Sequence, residues 1–207
     1  MIVMRLLFTC LLVVFASGCA TRQVQTLANL PLPADQSGNC CWQALQQLDI
    51  TYDKQNYKLT GALAQTRTGV TLVLLDPLGR RLLSVTKQGA TINSYRSPEL
   101  PAGLPERFLL ASSMLVWWPL VDWQSSLTGK TGWQISRTGN ERILSYRGQT
   151  MVRASFDQDS SILVEGMNVA AIGQSVTLKH EHQPLVIKVV TQSLDKLTFD
   201  QATQEPK

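Results

Sequence analysis

Short segments of alternating apolar and polar residues, separated by tight turns, constrain the fold of this chain more than any other feature. Residues 57–63, 81–85 and 91–95 alternate in this way, and Val70 to Leu75 form a continuous apolar run. The Asp-Pro-Leu-Gly sequence at residues 76–79 closes that run with the proline and glycine of a tight turn. A period of two is typical of half-buried strands. The pattern therefore predicts four consecutive antiparallel strands.

Helical spacing interrupts these strands in two places. A stripe of apolar residues follows Pro105, which suits the first turn of a helix: Phe108, Ala111, Leu115 and Trp118. Pro119 ends that helix and can open another, with apolar residues at positions 120, 123 and 127. Near the start of the chain, apolar residues at positions 42, 45 and 48 predict a short helix over residues 41–48.

Strand patterns resume in the last third of the chain. They cover residues 133–135, 143–147, 151–156, 162–164, 176–182 and 185–191. The total is about nine to eleven short strands with two or three helices between them. This order predicts an α+β fold that is mainly antiparallel β, in which a curved sheet carries the helices on its concave side.

The N-terminus has the pattern of a bacterial lipoprotein signal. Arg5 precedes an apolar run over residues 6–15, about half the ~20 residues that a helix needs to cross a bilayer. Small residues then lead to Cys19, so residues 1–18 are predicted to be a signal peptide and Cys19 the lipidated residue. An ordinary signal peptide with a chance cysteine is the alternative. Ala20 stands where lipoproteins retained in the inner membrane carry Asp, which predicts the periplasmic face of the outer membrane.

The mature chain divides into a tether and a domain. Residues 19–39 contain Pro31, Pro33 and Gly38 without periodicity and are predicted to be a lipidated tether, followed by one domain over residues 40–207. The adjacent Cys40 and Cys41 lack the spacing of a metal site. We expect them to be buried free thiols at the start of a helix. The alternative is a redox-labile or intermolecular pair.

No catalytic, cofactor or metal site is expected. A formal charge of +4 gives no strong basic surface, so nucleic acid is not an expected partner. Residues 128–131 (Thr-Gly-Lys-Thr) lack the first glycine of a phosphate-binding loop, and Ser175 lacks the second glycine of a nucleophile elbow. His180 and His182 share a strand face but lack a third metal ligand, so we expect two surface-facing histidines.

Two apolar features remain for a binding function. Four of the five tryptophans lie within residues 117–133, either as ordinary core or as the lining of a cavity for acyl chains. The candidate cavity residues are Leu72, Leu74, Leu83, Val85, Phe108, Leu115, Trp117, Trp118 and Trp133. Leu78 occupies a turn where a polar residue is usual, with Arg80 and Arg81 behind it, which suits contact with an anionic membrane.

Taken together, the lipobox, the Thr60-Gly61-Ala62 strand and the Pro77-Leu78-Gly79 turn resemble the LolB-like outer-membrane lipoprotein receptors. In those proteins an Asn-Pro-Leu-Gly turn carries a protruding leucine that helps to pass lipoproteins into the membrane. Residues 107–120 and 132–133 are more similar to a family of proteobacterial lipoproteins often encoded beside aryl polyene biosynthesis genes. The resemblance implies an unclosed, half-barrel sheet with inner helices, of the LolA/LolB type, and a membrane-contacting role for Leu78, Pro77 and Gly79.

Two functions are therefore weighed. The first is a non-catalytic outer-membrane lipoprotein that binds an apolar ligand, such as acyl chains of a lipoprotein or an aryl polyene lipid, and helps to place it in the membrane. Its partners would be the membrane, the ligand and a periplasmic carrier or export protein. The alternative is a scaffolding lipoprotein without a ligand, which holds a biosynthetic or export complex at the membrane. A core without a cavity would favour the alternative.

Overall fold

A computed structural model describes residues 29–35, 40–130, 132–157, 163–164, 167–168 and 172–197 of the chain. Residues 31–207 form one compact unit. The predicted signal peptide and Cys19 lie outside the described residues, as do residues 36–39 of the predicted tether.

The described part of the chain contains twelve strands and two helices. The strands are β1 (Trp42–Tyr52), β2 (Gln55–Gln65), β3 (Val70–Leu75), β4 (Arg81–Gln88), β5 (Thr91–Arg96), β6 (Trp133–Thr138), β7 (Glu141–Tyr146), β8 (Gln149–Phe156), β9 (Leu163–Val164), β10 (Met167–Asn168), β11 (Ser175–His180) and β12 (Leu185–Lys196). The helices are α1 (Glu106–Trp117) and α2 (Leu120–Leu127). Neither described helix is long and apolar enough to cross a membrane.

Ten strands form one antiparallel sheet, in the order β5-β4-β3-β2-β1-β12-β11-β8-β7-β6. The long strands β1 and β12 pair at its centre over most of their lengths, which joins a meander from each half of the chain. The edge strands β5 and β6 do not pair with each other, so the barrel is unclosed. The predicted mainly antiparallel, half-barrel architecture with two helices is confirmed.

The predicted short helix over residues 41–48 is wrong, because this segment belongs to β1. Alternate residues of β1 are buried: Trp42, Ala44, Gln46, Leu48 and Ile50. Leu45, which the helical spacing placed on the buried stripe, is 42% exposed. The hydrophobic positions 42, 45 and 48 match the spacing of a helix only by coincidence. The pairing of this segment with β2 and β12 makes it a strand.

The prediction of buried free thiols is also wrong. Cys40 and Cys41 form a disulfide with each other, across a cis peptide bond. Cys40 is exposed and Cys41 is half-buried. The pair therefore precedes a strand and lies near the surface, whereas the sequence argument placed both thiols in the core at a helix start.

Helix α1 is buried on all sides from Phe108 to Trp117, and polar groups hold its C-terminal end. Arg142 of β7 donates from Nη1 to the carbonyl oxygens of Leu115 and Trp118, both at 2.7 Å. The indole Nε1 of Trp123 donates to the Met114 carbonyl oxygen at 3.1 Å. Arg142 thus supplies a donor to carbonyl groups at the end of the helix, and a cation is favourable at this end of the helix dipole. The Met114 carbonyl oxygen also accepts from the backbone N–H of Trp118 at 2.9 Å.

Candidate functional site

The concave face of the sheet and helix α1 enclose a small apolar cavity. Its volume is about 10 Å³, which is near the minimum for a single water molecule. The lining residues come from the centre of the sheet and from α1: Leu48, Ile50, Leu72, Leu74, Leu109, Ser112, Ser113, Leu178, Ile187 and Val189. In this conformation α1 fills the space that a ligand would need, so an acyl chain could enter only if α1 moved.

The structure brings only part of the predicted cavity set to this space. Leu72 and Leu74 line the cavity. The other candidates are buried without lining it: Leu83, Val85, Phe108, Leu115, Trp117, Trp118 and Trp133. The sequence could not separate the two groups, because residues of an apolar core and residues that line an apolar ligand site are of the same types.

Three buried tryptophans form a packed cluster, and one of them, Trp42, lies in the segment that the sequence argument placed on a helix. The ring of Trp42 stacks on Trp117 at 4.9 Å between centroids and meets Trp118 edge-on at 5.9 Å. Trp118 donates from Nε1 to the Ala34 carbonyl oxygen at 3.0 Å. Aromatic pairs at these separations are favourable beyond the area that they bury. In this structure the three rings are therefore buried and packed against one another.

Several buried polar atoms of this interior lack a hydrogen-bond partner within the described structure. They include both amide atoms of Gln46, the Thr191 hydroxyl and the indole nitrogens of Trp42 and Trp117. Gln46 and Thr191 are each 1% exposed and face each other across β1 and β12. Sequence reasoning missed both. A glutamine at an inward position of a strand was the available signal, but the helical interpretation of residues 41–48 hid it.

His180 differs from the sequence prediction of a surface-facing residue. It is 3% exposed, and neither imidazole nitrogen has a hydrogen-bond partner within the described structure. Its ring meets the Phe108 ring edge-on, with 4.1 Å between the ring centroids. Burial lowers the pKa of His180 to about 3, so the ring is neutral at physiological pH. His182 lies beyond the end of β11 and is exposed. Within the described ranges, no cluster of three metal-ligating side chains occurs.

The turn between β3 and β4 presents Leu78 to solvent with 82% of its surface exposed. Asp76 shapes the turn: Oδ1 accepts from the backbone N–H groups of Leu78 and Arg80, at 2.9 and 2.8 Å. Its Oδ2 accepts from Arg80 Nε at 2.7 Å. Desolvation acts to raise the pKa of Asp76, but hydrogen bonds from Arg80 and Leu78 outweigh it and keep that pKa below its ordinary value.

The other two residues of this turn complete its shape. Pro77 is exposed, and Gly79 has a φ of 78°, a left-handed conformation that glycine adopts without a steric penalty. Behind the turn, Arg80 Nη1 forms an ion pair with Glu99 Oε1 at 3.1 Å, and the Arg81 guanidinium lies over the ring of Tyr95. Hence an exposed leucine stands on a backbone that its neighbours hold in place.

A second and larger hollow opens near the turns at the other ends of β3 and β4. Its volume is about 740 Å³, and residues 31–35 form one wall. The carboxylate of Asp35 accepts from Lys87 Nζ and from the backbone N–H of Gly89. Four cationic residues border this hollow: Arg67, Lys87, Arg107 and Lys130. The described end of the predicted tether therefore contacts the domain.

No curated protein matches the chain. Among solved structures, the chain is similar to the crystal structure of a LolA superfamily protein from Nitrosomonas europaea, at 9% sequence identity and a TM-score of 0.42, over 90% of this chain and 97% of that one. Residues 43–193, well over half of the chain, match a family described as "Protein of unknown function (DUF3261)". The chain belongs to that family.

Proposed function

We propose that this protein is a non-catalytic lipoprotein, anchored through Cys19 to the periplasmic face of the outer membrane, that binds an acyl-bearing ligand and helps to place it in the membrane. The observation that carries the proposal is the apolar concave face covered by a single buried helix. The sheet side of the cavity between them is lined by leucine, isoleucine and valine side chains, and the α1 side by Leu109, Ser112 and Ser113. Ligand sites of this kind are concave and mostly apolar.

Binding requires α1 to move away from the sheet. A cavity of about 10 Å³ cannot hold an acyl chain, whereas ligand pockets commonly measure ~300–1,000 Å³. A ligand that replaces the contacts of α1 would regain about 25 cal/mol for each Å² of apolar surface that it covers. The ligand thus offsets the loss of helix packing, and the empty protein closes again.

The β3–β4 turn supports a delivery role at the membrane. Leu78 is exposed and apolar, and Arg80 and Arg81 follow it directly. An apolar side chain can enter the acyl layer while nearby cations face anionic headgroups. In the proposal, this turn contacts the membrane that receives the ligand.

Anchoring is tested by Cys19→Ala. The variant should lose labelled palmitate and leave the membrane fraction, because the acyl chains on Cys19 supply the attachment. Unlabelled protein that stays tightly bound to membranes would contradict the lipid-anchor part of the proposal. Ser17→Ala, a small-residue change inside the same motif, serves as the control and should retain the label.

Ligand binding is tested on the full chain carrying Cys19→Ala, purified without detergent. Native mass spectrometry should detect a bound lipid or reversible binding of an added acyl probe. Comparing an acylated peptide with an aryl polyene lipid then identifies the preferred cargo. Absence of binding to every probe would remove the carrier function.

A scaffolding role is the second candidate, and the packed tryptophan cluster favours it. Trp42, Trp117 and Trp118 fill their part of the interior with less than 3% of each side chain exposed. A protein that needs no ligand would keep α1 closed under all conditions. Hydrogen exchange separates the two functions: a carrier should expose the amides of α1 more often with lipid than without it, because α1 is packed only in the empty protein, while a scaffold should show no such dependence.

A further inference from the structure

Gln46 and Thr191 are two buried polar residues at the centre of the sheet whose side chains have no hydrogen-bond partner within the described structure. Gln46 lies on β1 and Thr191 on β12, and the two are direct cross-strand partners. Each is 1% exposed. Side chains that face each other across antiparallel strands lie within contact range, so the pair forms one polar spot on an apolar face.

This polar spot adjoins the end of the cavity. Leu48 is the next inward residue after Gln46 on β1, and Val189 is the inward residue before Thr191 on β12. Leu48 and Val189 both line the cavity. From the opposite side, Ser113 of α1 lines it too, one helical turn before Trp117. The cavity and the Gln46–Thr191 pair are therefore neighbours along β1 and β12.

The hydrogen-bonding capacity of the pair is unused in the closed protein. Neither the amide oxygen nor the amide nitrogen of Gln46 has a partner within the described structure, and the Thr191 hydroxyl has none either. Buried polar groups are nearly always paired, since leaving them unpaired costs free energy. An apolar pair of similar shape would fit this position without that cost.

We infer that Gln46 and Thr191 bind the carbonyl group of an acyl ester or amide whose hydrocarbon chain occupies the adjoining apolar cavity. The Gln46 amide N–H and the Thr191 hydroxyl donate to the carbonyl oxygen, and the Gln46 amide oxygen accepts from an N–H where the ligand is an amide. The inference rests on the proposed carrier function and narrows it, because a plain hydrocarbon would leave these groups unpaired.

The test uses the pair Gln46→Met and Thr191→Val in the full chain carrying Cys19→Ala. Both changes keep the approximate shape of the side chain and remove its hydrogen-bonding atoms. The chain offers a matched control, Gln47→Met with Thr60→Val. Gln47 and Thr60 are also cross-strand partners, but they belong to the opposite, outward face of β1 and β2.

Two probes separate recognition of the carbonyl from apolar binding. Methyl laurate and tetradecane have similar chain lengths, and displacement of ANS measures the affinity of each. We expect the inward double variant to bind methyl laurate about tenfold more weakly, as for one or two lost hydrogen bonds, with tetradecane affinity unchanged. Its melting temperature should stay the same or rise, because unpaired polar groups are removed. The outward control should match the parent protein on all three measures.

Each other outcome has a definite meaning. Equal methyl laurate affinity in parent and inward variant would overturn the inference while leaving the carrier function in place. A lower melting temperature, with equal loss of both probes, would assign the pair a structural role and also overturn it. Thr191→Val alone, the most conservative change, covers the case in which the double variant does not fold. If the parent binds neither probe, the carrier function itself fails.

Discussion

The interior beneath α1 and the β3–β4 turn both contain leucine, but the leucine side chains lie in opposite environments. Leu72 and Leu74 lie almost fully inside, while Leu78, four residues further on, is 82% exposed. The interior residues are fixed by mutual packing between sheet and helix. The turn is fixed by the Asp76 hydrogen bonds, which leave the leucine side chain without a structural task.

This difference separates stability from function. A change in the interior alters the free energy of unfolding and any ligand site together, since the same side chains serve both. A change at Leu78 should alter only what happens at the membrane. Substitutions in the two regions can therefore test whether each is used as proposed.

The largest effect is expected from Trp117→Ala. Removing this ring should lower the free energy of unfolding by about 3–5 kcal/mol, because it leaves a cavity beside Trp42 and Trp118. Denaturant unfolding of the full chain measures the loss. Val121→Ala, at a position 61% exposed on α2, is the control and should change stability by less than about 0.5 kcal/mol.

Ligand binding per folded molecule sharpens this result. Unchanged affinity in Trp117→Ala would mean that the tryptophan cluster is core alone. A small loss of stability together with a large change in affinity would contradict that assignment and make Trp117 part of the binding site.

For each unit of pH, a smaller effect is expected from acid, through His180. Its folded pKa of about 3 lies below the ordinary value of 6.5, so only the unfolded chain takes up a proton as the pH falls between these values. Stability should be independent of this group above pH 6.5 and should fall by about 1.4 kcal/mol for each pH unit below it. Thermal unfolding over this range measures the slope.

Two variants isolate that slope. His180→Leu should remove it, because the buried group no longer titrates. His182→Gln, at the exposed histidine two residues away, should leave it intact. Equal slopes in the parent protein and His180→Leu would show that another group causes the acid sensitivity.

The sequence predicted the fold well where local pattern and sheet pairing agree. Val70 to Leu75 and the Asp-Pro-Leu-Gly turn form β3 and the turn after it, because a continuous apolar run suits a strand that is buried on one face and half-buried on the other. The prediction failed for residues 42–48 because their apolar residues fit both a helical and a strand period. Pairing with β2 and β12 selects the strand. β12 begins at Leu185, far along the chain, so its pairing with β1 leaves no local signal.

The candidate site was predictable only in part, for a related reason. Leu72 and Leu74 were identified as apolar residues of a strand, yet nothing local distinguishes them from Leu83, which is buried without lining the cavity. His180 looked like a surface residue because an imidazole is polar, and its neighbour Phe108 comes from α1, more than seventy residues earlier. Burial of a polar side chain depends on tertiary neighbours, so composition alone cannot reveal it.

The smallest effect on folding is expected from Leu78→Glu. Because the side chain is exposed and the turn is held by Asp76, stability should change by no more than about 0.5 kcal/mol. Ligand delivery to liposomes should nevertheless become slower, since a carboxylate resists entry into the acyl layer and opposes the attraction of Arg80 and Arg81 to anionic lipid. Val121→Glu makes the same change at another exposed apolar position and should deliver at the parental rate. A loss of several kcal/mol would mean that Leu78 is buried against another part of the protein. A stable Leu78→Glu protein with the parental delivery rate would remove the membrane role of this turn, and the exposed leucine would then be an ordinary surface residue.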